Sequence, residues 1–180
     1  SSHNLGSAWI VTILRNNFPA AKIYFMEGNH DAWYKRWLMQ KAPMLFDDNY
    51  YQLRERLGLD KLNIKWIDEE IVVRAGKLFL LHGHTIIRGV FAPVNAARGA
   101  FLRTKASVLF GHVHATSNHS EGNLKGDLIN CYSTGCLCHL RPDYDPHNTK
   151  HNQGFAHITL TPKTGEYRVR NFRIDNGNIY

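Results

Sequence analysis

Three apolar runs in this sequence end in histidine or asparagine next to a glycine. The junctions read Gly28-Asn29-His30-Asp31, His82-Gly83-His84 and Gly111-His112-Val113-His114. Glycine allows close backbone approach, so a neighbouring imidazole or amide group can reach into a cleft. Open α/β folds place their ligand sites at the edge of the sheet where the strands end. A single histidine of this kind is more often structural, but three such junctions in one chain favour a shared functional site.

The residue types at these junctions suit metal-assisted hydrolysis of phosphate esters. Neutral imidazoles and an amide carbonyl bind a borderline divalent cation and leave it enough positive charge to activate water and contact phosphate oxygens. His112 and His114 stand two residues apart, so on a strand-to-loop turn they can address two neighbouring metal ions. In a dinuclear site, the ions offset the charge that builds on the phosphoryl oxygens during in-line attack.

The order Gly-Asn-His-Asp, then His, then Gly-His-x-His resembles the motif set of the calcineurin-like metallophosphoesterases over most of the chain. The resemblance implies an α/β fold, a layered β-sandwich flanked by helices, with a dinuclear metal centre and a bridging hydroxide. It implies two divalent metal ions, with manganese favoured and iron, zinc or nickel as alternatives. Asn29, His82 and His112 would bind the second metal, and His114 would reach the first. His30 would be the catalytic acid at the leaving-group oxygen.

The family also has an Asp-x-His motif and a Gly-Asp-x-x-Asp motif near its N-terminus, and neither occurs upstream of Gly28. These motifs supply the ligands of the first metal and the bridging carboxylate. We therefore expect residues 1–180 to form a single metallophosphoesterase domain that is N-terminally incomplete and lacks its first strand-helix units. On its own, such a segment should bind a dinuclear centre weakly.

A second resemblance lies in the tail of the chain. Gly135-Cys136-Leu137-Cys138, then Pro142 and Tyr144, then Gln153-Gly154-Phe155 look like a phage and bacterial branch of the same family, often described as phosphoesterases or nuclease-like. The resemblance implies a phosphodiesterase or nuclease-like hydrolase. Two alternatives remain, a phosphomonoesterase or protein phosphatase, and a non-catalytic binding module of the same fold.

Composition agrees with a phosphate-bearing partner. The net charge is +7 with a pI near 9.4, which favours acidic partners and suits the phosphodiester substrate, a nucleic acid or nucleotide, that the resemblance implies, without selecting one. With 180 residues, of which 43% are hydrophobic, the chain is long enough to form a core without disulfides. It contains no apolar run long enough to cross a bilayer. We expect no membrane association and a cytoplasmic location.

Two further groups of residues have competing interpretations. Cys136-Leu137-Cys138-His139 contains zinc ligands, but this spacing is weak for a structural zinc site, and small buried side chains are the favoured interpretation. Trp33 and Trp37 are four residues apart, which favours one helix face packed into the core or a partner. The alternative is that these aromatic rings, beside Lys35, stack on bases.

Hydrophobic periodicity predicts strands alternating with helices, followed by a strand-rich tail. The predicted helices cover residues 5–17, 31–43, 50–57 and 94–103. The predicted strands cover residues 22–26, 64–67, 71–74, 78–81, 107–110, 128–132, 155–161 and 167–174.

Overall fold

The computed structural model describes residues 2–89, 94–141, 146–147 and 150–180, so Pro142 and Tyr144 of the tail resemblance lie outside the described residues. The chain divides into two compact units, Ser1–Ile71 and Val72–Tyr180, and each has its own hydrophobic core. The mixed α/β class predicted from the sequence is confirmed. The layered sandwich and the single domain stay predictions. No helix in the described part of the chain is long and apolar enough to cross a membrane.

The first unit contains two parallel strands and several helices. Its elements are α1 Ser2–Asn17, β1 Ile23–Met26, α2 Asn29–Lys41, the single turns α3 Pro43–Phe46 and α4 Leu53–Arg56 on either side of a 3-10 turn Asn49–Tyr51, and β2 Ile64–Ile67. Strands β1 and β2 pair in parallel. The core is formed by Val11, Leu57, Leu59 and Ile64. The predicted continuous helix over residues 50–57 is wrong, because Gln52 takes an extended conformation between the two turns.

Helix α2 turns a different face inward than the sequence suggested. Ala32 and Leu38 are buried, whereas Trp33 and Trp37 are each 54% exposed. The prediction that the two tryptophans pack into the core is therefore wrong, and their packing against a partner stays a prediction. Their helical spacing places them on one face, and the residues that this helix buries are Asn29, Ala32 and Leu38.

The second unit is built on a five-stranded sheet. Its elements are β3 Val73–Ala75, β4 Leu78–Leu81, α5 Ala96–Thr104, β5 Val108–Phe110, β6 Ser117–Gly122, β7 Leu128–Ser133, β8 Gln153–Leu160, β9 Tyr167–Asp175 and β10 Asn178–Ile179. The order in this sheet is β3-β4-β5-β7-β6, in which β4, β5 and β7 are parallel and the two edge strands are antiparallel to their neighbours. Strands β8, β9 and β10 form a separate antiparallel sheet.

Strand β6 was not predicted from the sequence, and its composition explains why. Its residues are Ser-Asn-His-Ser-Glu-Gly, and they lack the alternating apolar pattern of a half-buried strand. It forms because its backbone pairs with β7 at an edge of the sheet. An edge strand of this kind needs only the backbone of a neighbouring strand, so hydrophobic periodicity does not predict it.

Helix α5 covers the central strands of this sheet. Asn95 caps the helix, its side-chain oxygen accepting a hydrogen bond from the backbone N–H of Arg98 at 3.0 Å. The buried face of α5 includes Ala97, Ala100 and Phe101, which belong to the same core as Val108, Phe110, Ile129 and Cys131 of the strands. This core fixes the three parallel strands, and the loops that follow them leave from one edge of the sheet.

Candidate functional site

Three loops begin together at the carboxyl edge of the five-stranded sheet. Leu81 of β4 pairs with Phe110 of β5, and Phe110 pairs with Ser133 of β7, so the three parallel strands end in register. The loops begin at His82, Gly111 and Thr134. Parallel pairing therefore brings two of the predicted histidine junctions to one place, and it adds the cysteine-containing loop, which the sequence analysis did not place there.

Backbone hydrogen bonds hold the first two loops against each other. The carbonyl oxygen of His82 accepts the N–H groups of Gly111 at 3.2 Å and of His112 at 3.0 Å. Gly83 has φ of +114°, and a Cβ there would lie 2.8 Å from the Phe110 ring and 3.2 Å from Cβ of His112. Only glycine fits between the two strand ends. This close approach positions the His82 and His112 rings.

The rings of His82 and His112 are adjacent, with His82 Nε2 and His112 Nδ1 lying 3.2 Å apart. Two neutral imidazoles at this distance can hydrogen-bond, and the spacing also suits two ligands of one ion. With metal–nitrogen bonds of about 2.0–2.1 Å, two neighbouring ligand nitrogens lie about 2.9–3.4 Å apart. The structure thus brings together two of the three residues predicted for the second metal.

His84, to which the sequence analysis gave no role, belongs to the same group of rings. Its ring centroid lies 5.4 Å from that of His82 and 6.1 Å from that of His112. The signal was present in the sequence, since His84 follows the same strand end as His82. This cluster of rings therefore contains three imidazoles, those of His82, His84 and His112.

His114 lies next to the cysteine loop. Its Nδ1 is 3.8 Å from Sγ of Cys138, and its ring meets that of His151 edge to face with centroids 4.8 Å apart. Among the residues that the structure describes, one group of three potential ligands has donor atoms all within 4.8 Å of one another, and it consists of His114, Cys136 and Cys138. The predicted dinuclear centre, with His114 on its first metal, stays a prediction.

The cysteines follow the sequence interpretation only in part. Cys131 and Cys136 are buried as expected, but Cys138 is exposed, and here the prediction of a small buried side chain is wrong. His139 also departs from the Cys-x-Cys-His pattern, because its Nδ1 lies 2.9 Å from the carbonyl oxygen of Arg141. A hydrogen bond from Cys136, together with contact with the imidazole of His114, holds the pKa of Cys138 well below its usual range. The same bond and burial raise the pKa of Cys136.

The remaining predicted site residues lie in the first unit, at the start of α2. Asn29 is buried, and the His30 ring lies 4.7 Å from that of Trp33. The Asp31 carboxylate accepts a hydrogen bond from the backbone N–H of Gly28 at 2.9 Å. Asp31 therefore helps to cap the helix from inside its first turn, and Gly28 occupies the cap position itself. The roles of Asn29 as a metal ligand and of His30 as the catalytic acid stay predictions.

A cleft of about 470 Å³ also lies in the first unit, beside this helix start. Its lining includes Glu27, Asp31 and Lys35. Glu27 is only 4% exposed, and its carboxylate accepts a hydrogen bond from the backbone N–H of Glu69 at 3.2 Å. Burial raises the pKa of Glu27 above that of an ordinary glutamate. Glu27 was not among the site residues predicted from the sequence, although it directly precedes the Gly28 motif.

Comparison with protein-family models finds no match to this chain, and comparison with curated proteins finds none either.

Proposed function

We propose that this chain is a metal-dependent phosphoesterase of the calcineurin-like metallophosphoesterase type, acting as a phosphodiesterase or nuclease-like hydrolase. The observation that supports it most is the 3.2 Å separation of His82 Nε2 and His112 Nδ1 at the shared carboxyl edge of β4 and β5. The sheet aligns the two loops, and their imidazole nitrogens lie at the spacing of two metal ligands. Two ligands of a divalent metal ion are therefore already positioned.

The residues of this chain would hold and orient the metal. His82 and His112 are ligands that need little rearrangement, because backbone hydrogen bonds already join their loops. His84 lies beside them and can steady the His82 ring. A bound divalent ion would supply activation of water and compensation of the negative charge on the phosphoryl oxygens. His30 is proposed to supply a proton to the leaving-group oxygen.

A phosphate-bearing substrate is favoured because the protein is strongly basic. A net charge of +7 attracts polyanions and raises the rate of their encounter with the protein. The charge alone does not separate a nucleic acid from a smaller phosphate ester, so the substrate class needs a direct comparison. Parallel assays with bis-p-nitrophenyl phosphate and p-nitrophenyl phosphate make that comparison between a diester and a monoester.

The metal-binding half of the proposal is tested by His112→Ala. Titration calorimetry with Mn²⁺ should show that affinity falls by about 100-fold or more, since loss of even an outer-shell partner costs 10–100-fold. The matched control is His157→Ala, which removes an exposed histidine on β8 of the same unit. Equal Mn²⁺ affinity in the wild type and in His112→Ala would refute the ligand assignment.

The catalytic half is tested by diester hydrolysis with added Mn²⁺. His112→Ala should remove both metal and hydrolysis, and His30→Ala should slow turnover while metal content stays near that of the wild type. If His30→Ala emptied the site of metal, the acid role of His30 would be wrong. If the wild type neither bound Mn²⁺ nor hydrolysed either ester, the non-catalytic binding module would replace the enzyme as the better account.

A further inference from the structure

The loops that follow β5 and β7 bring one imidazole and two thiols together. His114 comes from the first loop, and Cys136 and Cys138 come from the second. Their donor atoms all lie within 4.8 Å of one another, and His114 Nδ1 is 3.8 Å from Cys138 Sγ. Cysteine and histidine at such distances are the ligands that zinc takes in proteins.

The 3.8 Å separation of His114 Nδ1 and Cys138 Sγ is close to the ligand spacing around a tetrahedral ion. With zinc–nitrogen bonds of about 2.0–2.1 Å and zinc–sulfur bonds of about 2.3 Å, neighbouring nitrogen and sulfur ligands lie about 3.6 Å apart, and two sulfurs about 3.8 Å apart. Cys136 is buried and Cys138 is exposed, so one sulfur is held in the protein interior and the other is accessible to solvent. An ion can enter from solvent, and the exposed Cys138 side chain can make the small movement that closes the site.

Asn152 fixes the two loops to each other. Its backbone N–H donates to the carbonyl oxygen of His114, and its carbonyl oxygen accepts the N–H of Cys136, both at 2.9 Å. Its side-chain oxygen accepts the backbone N–H of Thr116 at 2.7 Å. The positions of His114 and Cys136 are thus set by backbone contacts to one residue, which lowers the ordering cost of binding an ion.

The backbone of His114 gives an independent indication of function. His114 has φ of +55°, in the left-handed region that side chains other than glycine seldom adopt. Its N–H donates to the carbonyl oxygen of Gly111 at 3.2 Å, which closes a tight turn after β5. A histidine held in this conformation costs stability, and such positions cluster at ligand sites. Here the turn places the ring against the cysteine loop.

We propose that His114, Cys136 and Cys138 form a binding site for a zinc-type ion, with Nδ1 of His114 and the two cysteine sulfurs as ligands. The site differs in chemistry from the His82 and His112 pair. Thiolates select zinc and other soft or borderline ions over manganese, and a pair of imidazoles without a thiolate does not discriminate against manganese to the same degree. The two sites can therefore be loaded and tested with different metals.

Two consequences follow for the edge of the sheet. An ion bound here cross-links the loops after β5 and β7, and it therefore fixes the turn that begins at Gly111 and carries His112. Three protein ligands also leave the fourth tetrahedral position for water or an incoming group, as in zinc sites that are not purely structural. The ion would bind Nδ1 of His114. The other ring nitrogen, Nε2, lies on the opposite side of the ring and is not a ligand of this ion.

The test is titration of the reduced, metal-free chain with Co²⁺, followed by absorption spectroscopy. Thiolate ligation of Co²⁺ gives an intense sulfur-to-metal charge-transfer band in the near ultraviolet, which imidazole ligation does not give. One equivalent of Co²⁺ should produce the band, and one equivalent of Zn²⁺ should abolish it. Mn²⁺ should not compete at similar concentration. Absence of the band in the wild type would overturn the proposal without the need for any variant.

Matched cysteine variants assign the ligands. Cys138→Ser should lose at least half of the band's intensity, since one of the two thiolate ligands is gone, and because Cys138 is exposed its replacement should leave the fold intact, as checked by circular dichroism. The control is Cys131→Ser, which alters a buried cysteine of β7 whose Sγ lies 3.4 Å from the carbonyl oxygen of Ala106. It should keep the band. A band that survives at full intensity in Cys138→Ser, or that disappears only in Cys131→Ser, would overturn the assignment.

The His112→Ala variant separates this proposal from the phosphoesterase proposal. His112 is not a ligand of the thiolate site, so the variant should keep the Co²⁺ charge-transfer band even though it loses Mn²⁺. Failure of the phosphoesterase proposal would appear as missing Mn²⁺ binding and hydrolysis with the band intact. Failure of the thiolate site would appear as a missing band, whatever the hydrolysis.

Discussion

Replacing Asn152 with alanine should destabilise the second unit and weaken the proposed thiolate site. The Asn152 side chain makes three hydrogen bonds, accepting from the backbone N–H of Thr116 at 2.7 Å and donating to Thr116 Oγ1 at 2.8 Å and to the carbonyl oxygen of Gln153 at 2.9 Å. All three are partly buried. The backbone contacts of residue 152 to His114 and Cys136 remain in the variant, but the side chain that holds this backbone in place is lost.

The expected loss follows from the number of bonds. A buried hydrogen bond contributes about 1 kcal/mol net, so three bonds give a loss of about 3 kcal/mol in the free energy of unfolding. For a urea dependence of about 1–3 kcal/mol/M, this lowers the midpoint of urea unfolding by about 1–3 M. The Co²⁺ charge-transfer band should then need more metal to reach saturation, because the ligand loops are less ordered before binding.

The assay is urea unfolding of the chain followed by circular dichroism, combined with the Co²⁺ titration. Asn178→Ala is the matched control. Asn178 is exposed on β10, its side-chain amide has a long 3.5 Å contact with the carbonyl oxygen of Asn176, and its loss should change stability by less than about 0.5 kcal/mol. If Asn152→Ala behaved like Asn178→Ala in both measurements, Asn152 would not be what holds the two loops together.

Two further changes test the second unit. Burial raises the pKa of Cys131 to about 11, so above about pH 8.5 the unfolded chain binds fewer protons than the folded chain, and stability is lost as the pH rises towards 11. Between pH 8 and pH 11, the free energy of unfolding of Cys131→Ala should fall by about 2–3 kcal/mol less than that of the wild type. An equal loss of stability in the two proteins over this range would contradict the burial argument. A Cβ at Gly135 would lie 2.6 Å from both the carbonyl oxygen of Asn152 and the N–H nitrogen of Gly154, so Gly135→Ala should cost about 2–3 kcal/mol. Gly122→Ala, with no atom within 4 Å of the added Cβ, should leave the free energy of unfolding nearly unchanged. If the two glycine variants were equally stable, the loop at Gly135 would have moved to accommodate the added Cβ.

The sequence by itself determined most of the elements that carry the candidate site. The apolar runs at residues 78–81, 107–110 and 128–132 correspond to β4, β5 and β7, because continuous apolar runs of this length are typical of buried parallel strands. The Gly-His junctions that follow the first two were visible as chemistry without any structure. A turn residue with a ligand beside it is a local pattern, and local patterns can be read from a sequence.

Which residues meet was decided only by the tertiary structure. His112 and His82 approach because β4 and β5 are neighbours in parallel register, and His114 meets Cys136 and Cys138 because β7 lies next to β5 with β6 folded back outside it. The Cys-x-Cys spacing was weak evidence for a metal on its own, since its nearest histidine in sequence, His139, is not the one that approaches it. Strand order depends on the packing of α5 and the sheet as a whole. Strand order is therefore determined by many residues that are distant in the sequence, and no local pattern in the sequence predicts it.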